Sequence, residues 1–203
     1  MNITSEQIKE LREKTGAGML NCKNALIENK GDFEKAIAFL RQKGLASADK
    51  KLSRSTKQGI IASYIHTGNK IGILLELNCE TDFVARRIEF QNLAKNLAMQ
   101  IVASSSVNYI SMKDIPNEII LSETRIEAER DDLKSKPENI KESILKGRVE
   151  KNLKAYTLLN QAYIRDPNLT VEDYIKSHVS LLGENIQITR FCKFIVGELK
   201  SED

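Results

Sequence analysis

The stretch Ile60-Ile61-Ala62-Ser63-Tyr64-Ile65-His66-Thr67-Gly68-Asn69-Lys70-Ile71-Gly72-Ile73-Leu74-Leu75-Glu76-Leu77-Asn78-Cys79 decides the fold. Two runs rich in apolar residues flank Thr67-Gly68-Asn69-Lys70, where Gly and Asn tolerate a turn, so the whole predicts a β-hairpin. In the second run Ile71, Ile73, Leu75, Leu77 and Cys79 alternate onto one face. A sheet with one apolar face needs cover, and cover follows at once: over residues 84–103 the period lengthens, with Phe90, Leu93, Leu97 and Ile101 at helical steps until Ser104-Ser105-Ser106. A last alternating run at 186–196 puts Ile188, Arg190, Cys192, Phe194 and Val196 on one face and predicts a strand that joins the hairpin in an antiparallel sheet. The fold class is α+β.

Working outward, residues 1 to about 45 predict three short helices. Thr4-Ser5-Glu6-Gln7 offers a capping box before Ile8 and Leu11, Gly16-Ala17-Gly18 breaks the chain, Met19 opens a second helix that stops at Lys30-Gly31, and Asp32 caps a third whose stop is read at Gly44. Residues 46–57 are polar and basic and predict a linker or helix tail. The expected division is 1–54, a helical module with a basic linker, and 55–203, an α+β core. Between 104 and 170 a charged helical region is limited by Pro116 and Pro137, and Thr170-Val171-Glu172-Asp173 starts a further helix that Gly183 stops.

The chain has 203 residues, 41% hydrophobic and 29% charged, enough for one good core and unlike a disordered polymer. With 31 Lys and Arg against 28 Asp and Glu, the net charge of +3 permits a polyanionic partner without implying one. Cys22, Cys79 and Cys192 stand far apart, and His66 and His178 are the two histidines, so neither a disulfide framework nor a zinc ligand set is expected, and no cofactor or metal. The start lacks a signal or transit composition and no run is long and apolar enough to span a bilayer, so a soluble protein without a targeting peptide and without a membrane partner is expected.

Three catalytic or ligand readings can be weighed on residues alone. Gly16-Ala17-Gly18 lacks a preceding strand, a third Gly at the required step and a Gly-Lys-Ser/Thr, and a tight inter-helix turn accounts for it. Glu80 and Asp82, with His66, could form an acid/base set, but a solvated corner plus a helix cap is the ordinary reading of two acids at a strand end, and Thr81 or Asp82 is well placed to cap the helix after Phe83. Cys79 alternates with Leu77 and Leu75 as a buried small hydrophobe would. What these readings leave over is Phe83, a large apolar residue beside Asp82 at a strand-to-helix corner where turn chemistry favours small or polar types. An exposed aromatic there would act as a wedge into a partner; a Phe tucked under its own helix is the alternative.

Thr15-Gly16-Ala17-Gly18-Met19 with Cys22-Lys23 and Ala25-Leu26, then Glu76-Leu77-Asn78-Cys79-Glu80-Thr81-Asp82-Phe83-Val84-Ala85-Arg86, then Gly183-Glu184-Asn185-Ile186 with Arg190-Phe191, stand in an order and separation that resembles the translation elongation factor Ts family. The resemblance spans essentially the whole chain. It implies a ubiquitin-associated-like module at the N-terminus and a guanine-nucleotide exchange activity on elongation factor Tu, with no covalent chemistry. By the same resemblance Thr81, Asp82, Phe83 and Val84 form the exchange element that intrudes beside the partner's Mg²⁺ site and disturbs the groups holding Mg²⁺ and phosphate. Arg12, Met19 and Leu20 are the implied partner contacts. Gln100 is a further implied partner contact: it stands where many relatives carry a histidine associated with that contact, which here is lost or made by the amide, and Ile195 stands where an acidic residue is common. One core's worth of sequence without internal repeat resembles the short form, which implies a homodimer, with Cys192 as a candidate inter-subunit cysteine. Bacterial cytoplasm or, for a plastid-encoded chain, chloroplast stroma is the implied setting. A competing reading, a basic RNA-binding protein of the translation apparatus, rests on the 50–57 stretch, although the chain lacks the aromatic-rich strand motif of common single-strand readers and no sequence-specific nucleic acid is expected.

Overall fold

The computed structural model describes residues 3–134 and 137–198; the first two residues of the expected N-terminal module and the last five of the expected core lie outside them. The N-terminal helices are α1 (Ser5–Thr15), α2 (Met19–Glu28) and α3 (Phe33–Asp49). Each begins where the sequence supplies a start. The Thr4 hydroxyl accepts from Gln7 N while the Gln7 side chain accepts from Thr4 N, completing the capping box, and Asp32 accepts from Lys35 N. Gly16 at φ 69°, then Lys30 and Gly31 at φ 53° and 80°, turn the chain between helices in the left-handed region. Ile8, Leu11, Cys22, Ala25, Leu26, Ala36 and Leu40 close a small core between the three helices.

Two departures from the expected N-terminal reading have physical causes. Gly44 does not end α3, which runs on to Asp49 and takes up the start of the expected linker. A Cβ at Gly44 would lie 3.2 Å from Ser180 Oγ, so glycine stands there for close approach of another helix rather than for a stop. Nor is the segment beyond α3 a loose tether, because the Leu52 and Arg54 carbonyls accept from the Asn185 side chain.

β1 (Gln58–Ile65) and β2 (Ile71–Cys79) form the expected hairpin, and β5 (Gln187–Ile195) joins it, giving an antiparallel sheet of order β1-β2-β5. Along β2, Ile73, Leu75, Leu77 and Cys79 are buried as the alternation requires. The single helix expected over 84–103 is two: α4 (Asp82–Ala85), one turn, and α5 (Ile88–Ala103), with Arg86 and Arg87 between them. A 3₁₀ turn (Met112–Asp114), α6 (Asn117–Ala128), α7 (Asp131–Lys134) and α8 (Glu138–Ala155) make up the charged region. A second small hairpin, β3 (Ala162–Tyr163) and β4 (Asp166–Thr170), was not expected; its strands are short and β4 contains Pro167. Then α9 (Val171–Leu182) leads to β5.

The chain divides into two units, residues 1–63, 74–96 and 173–191 in the first and 64–73, 97–172 and 192–203 in the second. In the first, Leu11, Leu75, Leu77, Phe90, Leu93 and Val179 are fully or almost fully buried. In the second, Ile115, Val149 and Leu153 form a cluster joined by Tyr109, Ile120, Leu145 and Tyr156. There Glu127, almost fully buried, accepts from the Asn152 amide and the Arg130 guanidinium, and Arg148 pairs with Asp132. No helix among the described residues is long and apolar enough to cross a membrane.

Candidate functional site: the corner between β2 and α4

β2 ends at Cys79, and after only Glu80 and Thr81 the chain is helical. Thr81 makes that possible. Its extended backbone (φ −127°, ψ 156°) places its hydroxyl to accept from Val84 N at 3.4 Å, the N-cap of α4, while the hydroxyl proton goes to Glu184 Oε1 at 2.6 Å. Val84 and Ala85 turn inward and are 7% and 6% exposed. In one helical turn that leaves Phe83 pointing out, and it is 77% exposed. Of the two readings of Phe83, the exposed one describes this protein. Asp82 beside it pairs with Arg86 at 2.8 Å, one turn along.

The corner is stiffened from below. The Cys79 thiol donates to Thr81 O at 3.1 Å, and burial, with the Glu184 charge adding to it, pushes that thiol up to about 11. A thiol so far from ionising is no nucleophile at neutral pH. Glu184 Oε2 accepts from Glu80 N at 3.1 Å and Thr81 N at 3.0 Å, and Glu80 Oε1 accepts from Asn185 N at 2.7 Å. Glu184 and Asn185 belong to a segment that carries the family resemblance, yet no spacing signal gives them a role, because 104 residues separate Glu184 from Glu80. Only the fold brings them together.

Each member of the acid/base set considered from sequence has a partner of its own. Glu80 is engaged by Asn185 and, at 3.5 Å, by Arg54; Asp82 is engaged by Arg86; and the His66 ring nitrogen sits 3.2 Å from the Tyr64 hydroxyl. Among the described residues no three His, Cys, Asp or Glu side chains gather as a metal site. The basic stretch is partly spoken for, with Arg54 on Glu80 and Lys51 on the Ser47 hydroxyl at 3.1 Å.

Of the other implied contacts, Arg12, Met19 and Leu20 are exposed, Leu20 at 70%, around the Gly16–Gly18 turn. That turn is internally bonded: Gly16 N donates to Arg12 O at 2.7 Å and Ala17 N to the Thr15 hydroxyl at 3.3 Å. Gln100, in the second unit, is 1% exposed; its Nε2 donates to Ala162 O at 3.1 Å and its Oε1 accepts from Ile164 N at 2.8 Å. Both ends of the amide are thus spent on the β3 segment. Cys192, also in the second unit, is exposed on β5.

The fold and the corner define a class: a three-helix module, then an α+β core that carries a solvent-exposed phenylalanine on a capped single turn. The family description "Elongation factor TS" matches residues 6–198. The chain is 58% identical over 196 residues to elongation factor Ts of Rippkaea orientalis, covering 97% of this chain and 79% of that protein. It is 56% identical over 197 residues to the chloroplastic elongation factor Ts of Phaeodactylum tricornutum, covering 97% and 98%, and 57% identical over 198 residues to that of Guillardia theta, covering 98% and 90%. This chain belongs to the elongation factor Ts family.

Proposed function

We propose that this protein is the guanine-nucleotide exchange factor of elongation factor Tu and that Thr81, Asp82, Phe83 and Val84 are its exchange element. The observation that carries the proposal is the exposure of Phe83 on a turn whose backbone is fixed. A folded chain that leaves a phenylalanine 77% in water forgoes an apolar burial that a partner surface can then supply. Phe83 enters an apolar site of the partner, Thr81 and Val84 hold the turn in shape, and Asp82 brings negative charge toward the groups that hold Mg²⁺ and phosphate. To do so Asp82 leaves Arg86, at little cost, since exposed ion pairs contribute less than about 1 kcal/mol. GDP leaves because its ligands are displaced, and no bond to it is made or broken.

The energetics are those of linkage. A factor that binds nucleotide-free partner more tightly than GDP-bound partner is itself weakened by GDP in the same ratio. A thousandfold faster release requires about 4 kcal/mol of preference for the barrier state. Arg12, Met19 and Leu20, on the module of residues 1–54, grip a second face and supply affinity, while Gln100 serves the interaction by bracing the backbone at Ala162 and Ile164. The core of 55–203 carries the exchange element and pairs with a second copy. For the second unit, Ile65, Cys192, Phe194 and Val196 lie exposed on strand residues or directly after them, an apolar surface that a homodimer would cover. The setting is bacterial-type translation, in a cytoplasm or a chloroplast stroma. Titration of this protein onto elongation factor Tu, nucleotide-free and then with GDP, tests the reading: affinity falls on adding GDP if it holds, and affinity equal in the two states contradicts it.

A further inference from the structure

We infer that Glu184 is a positioning residue for exchange, a carboxylate clamp that holds the Phe83 corner ready before the partner arrives; the inference rests on the exchange reading above. Four residues make too short a helix to stand alone, because nucleating a helical turn fixes several dihedrals for one hydrogen bond. The orientation of α4 therefore comes from what holds its first residues. At the end of β2 the chain leaves the strand, and the Glu80 and Thr81 N–H groups find another acceptor. Glu184 meets both with one oxygen and takes the Thr81 hydroxyl with the other. Charge-assisted bonds of this kind are about twice as strong as neutral ones. With its proton committed to Glu184, the Thr81 hydroxyl has its lone pairs directed to Val84 N, which is the cap of α4.

The clamp is reciprocal. Glu80 accepts from Asn185 N, so neighbouring residues on each side hold the backbone of the other. Asn185, fully buried, passes the restraint on by donating from Nδ2 to Leu52 O at 3.2 Å and Arg54 O at 2.8 Å. Phe83 takes no part in any of these bonds and is free to insert. Its backbone needs no further ordering on binding, and avoided ordering appears as a faster exchange step.

The test uses the full chain, which contains no tryptophan, so Phe83→Trp introduces a single fluorescent reporter at the corner. In the free protein, Glu184→Ala lowers the anisotropy of that indole while far-UV circular dichroism is unchanged. With Phe83 restored, Glu184→Ala lowers the maximal stimulated rate of GDP release about thirtyfold, equivalent to about 2 kcal/mol, and changes the half-saturating concentration less than threefold. Glu184→Gln, which keeps an acceptor oxygen, recovers part of the rate. Should Glu184→Ala fail to fold, Glu184→Gln, which removes the charge and keeps one acceptor oxygen, is read in the same two ways with a smaller expected loss. Unchanged anisotropy and rate in folded variants of an active protein overturn the clamp alone. A wild-type chain that does not accelerate GDP release overturns the exchange reading, and the positioning role with it.

Discussion

Replacing Phe83 by alanine should separate activity from stability more cleanly than any other single change in this chain. An aromatic side chain buries about 150–250 Å² when fully enclosed, and Phe83 is 77% exposed, so docking can remove about 150 Å² of apolar surface from water. At about 25 cal/mol per Å² that amounts to about 4 kcal/mol. The alanine methyl retains a share, and the most sensitive interface truncations cost from about 2 kcal/mol upward. A loss of about 3 kcal/mol, or about 150-fold in stimulated GDP release, is the expected effect. Folding should not notice, because a surface substitution that removes no packing stays within about 0.5 kcal/mol. The assay pairs stopped-flow release of a fluorescent GDP from elongation factor Tu with urea unfolding of the free variant. An exchange rate within threefold of wild type, with the unfolding midpoint unchanged, would refute the wedge.

Other consequences concern the scaffold and the assembly. Gly59 has φ 155°, and a Cβ there would fall 2.2 Å from Leu77 O, so Gly59→Ala should cost about 3 kcal/mol or more; a urea midpoint like that of wild type would contradict this. Burial holds the His178 imidazole below its ordinary value of about 6.5, with the hydrogen bond to Tyr174 O and the Glu89 charge only partly opposing it. The unfolded chain therefore takes up the proton first, and the stability this contributes is complete above about pH 6.5 and lost as pH falls below it. The urea midpoint should drop between pH 7.5 and 5.5 and drop less in His178→Gln; equal drops would rule out His178 as the cause. If Ile65, Phe194 and Val196 meet a second copy, sedimentation at micromolar concentration gives twice the 22.9 kDa chain mass, and Phe194→Asp lowers it toward one chain; a wild-type monomer would remove the homodimer from the account.

Much of the fold is legible in residue patterns because period and capping are local. The alternation from Ile71 to Cys79 marks β2, and Thr4 and Asp32 mark helix starts through the bonds their side chains make within three residues. Local signals mislead where a distant element decides. Gly44 carries the mark of a helix stop, but the space it leaves is filled by Ser180, and only tertiary packing shows it. The two-strand hairpin at 162–170 is too short to establish a period, and the break at Arg86 and Arg87 falls inside an otherwise continuous helical pattern. At the corner, Phe83 stands out in sequence by being apolar where turns are polar, whereas its exposure depends on Val84 and Ala85 both being turned inward. Glu184 is illegible for a different reason: an acid next to a glycine after a helix has many ordinary readings, and the two amides it accepts from lie on the far side of the chain's connectivity.

The proposed activity of this protein is to open the nucleotide site of elongation factor Tu. Release of a fluorescent GDP from native elongation factor Tu at fixed Mg²⁺, with and without the wild-type chain, tests it most directly. Release should accelerate, and the acceleration should saturate with the concentration of this protein. Release at the unassisted rate, from a partner shown to bind and exchange nucleotide normally, would contradict it.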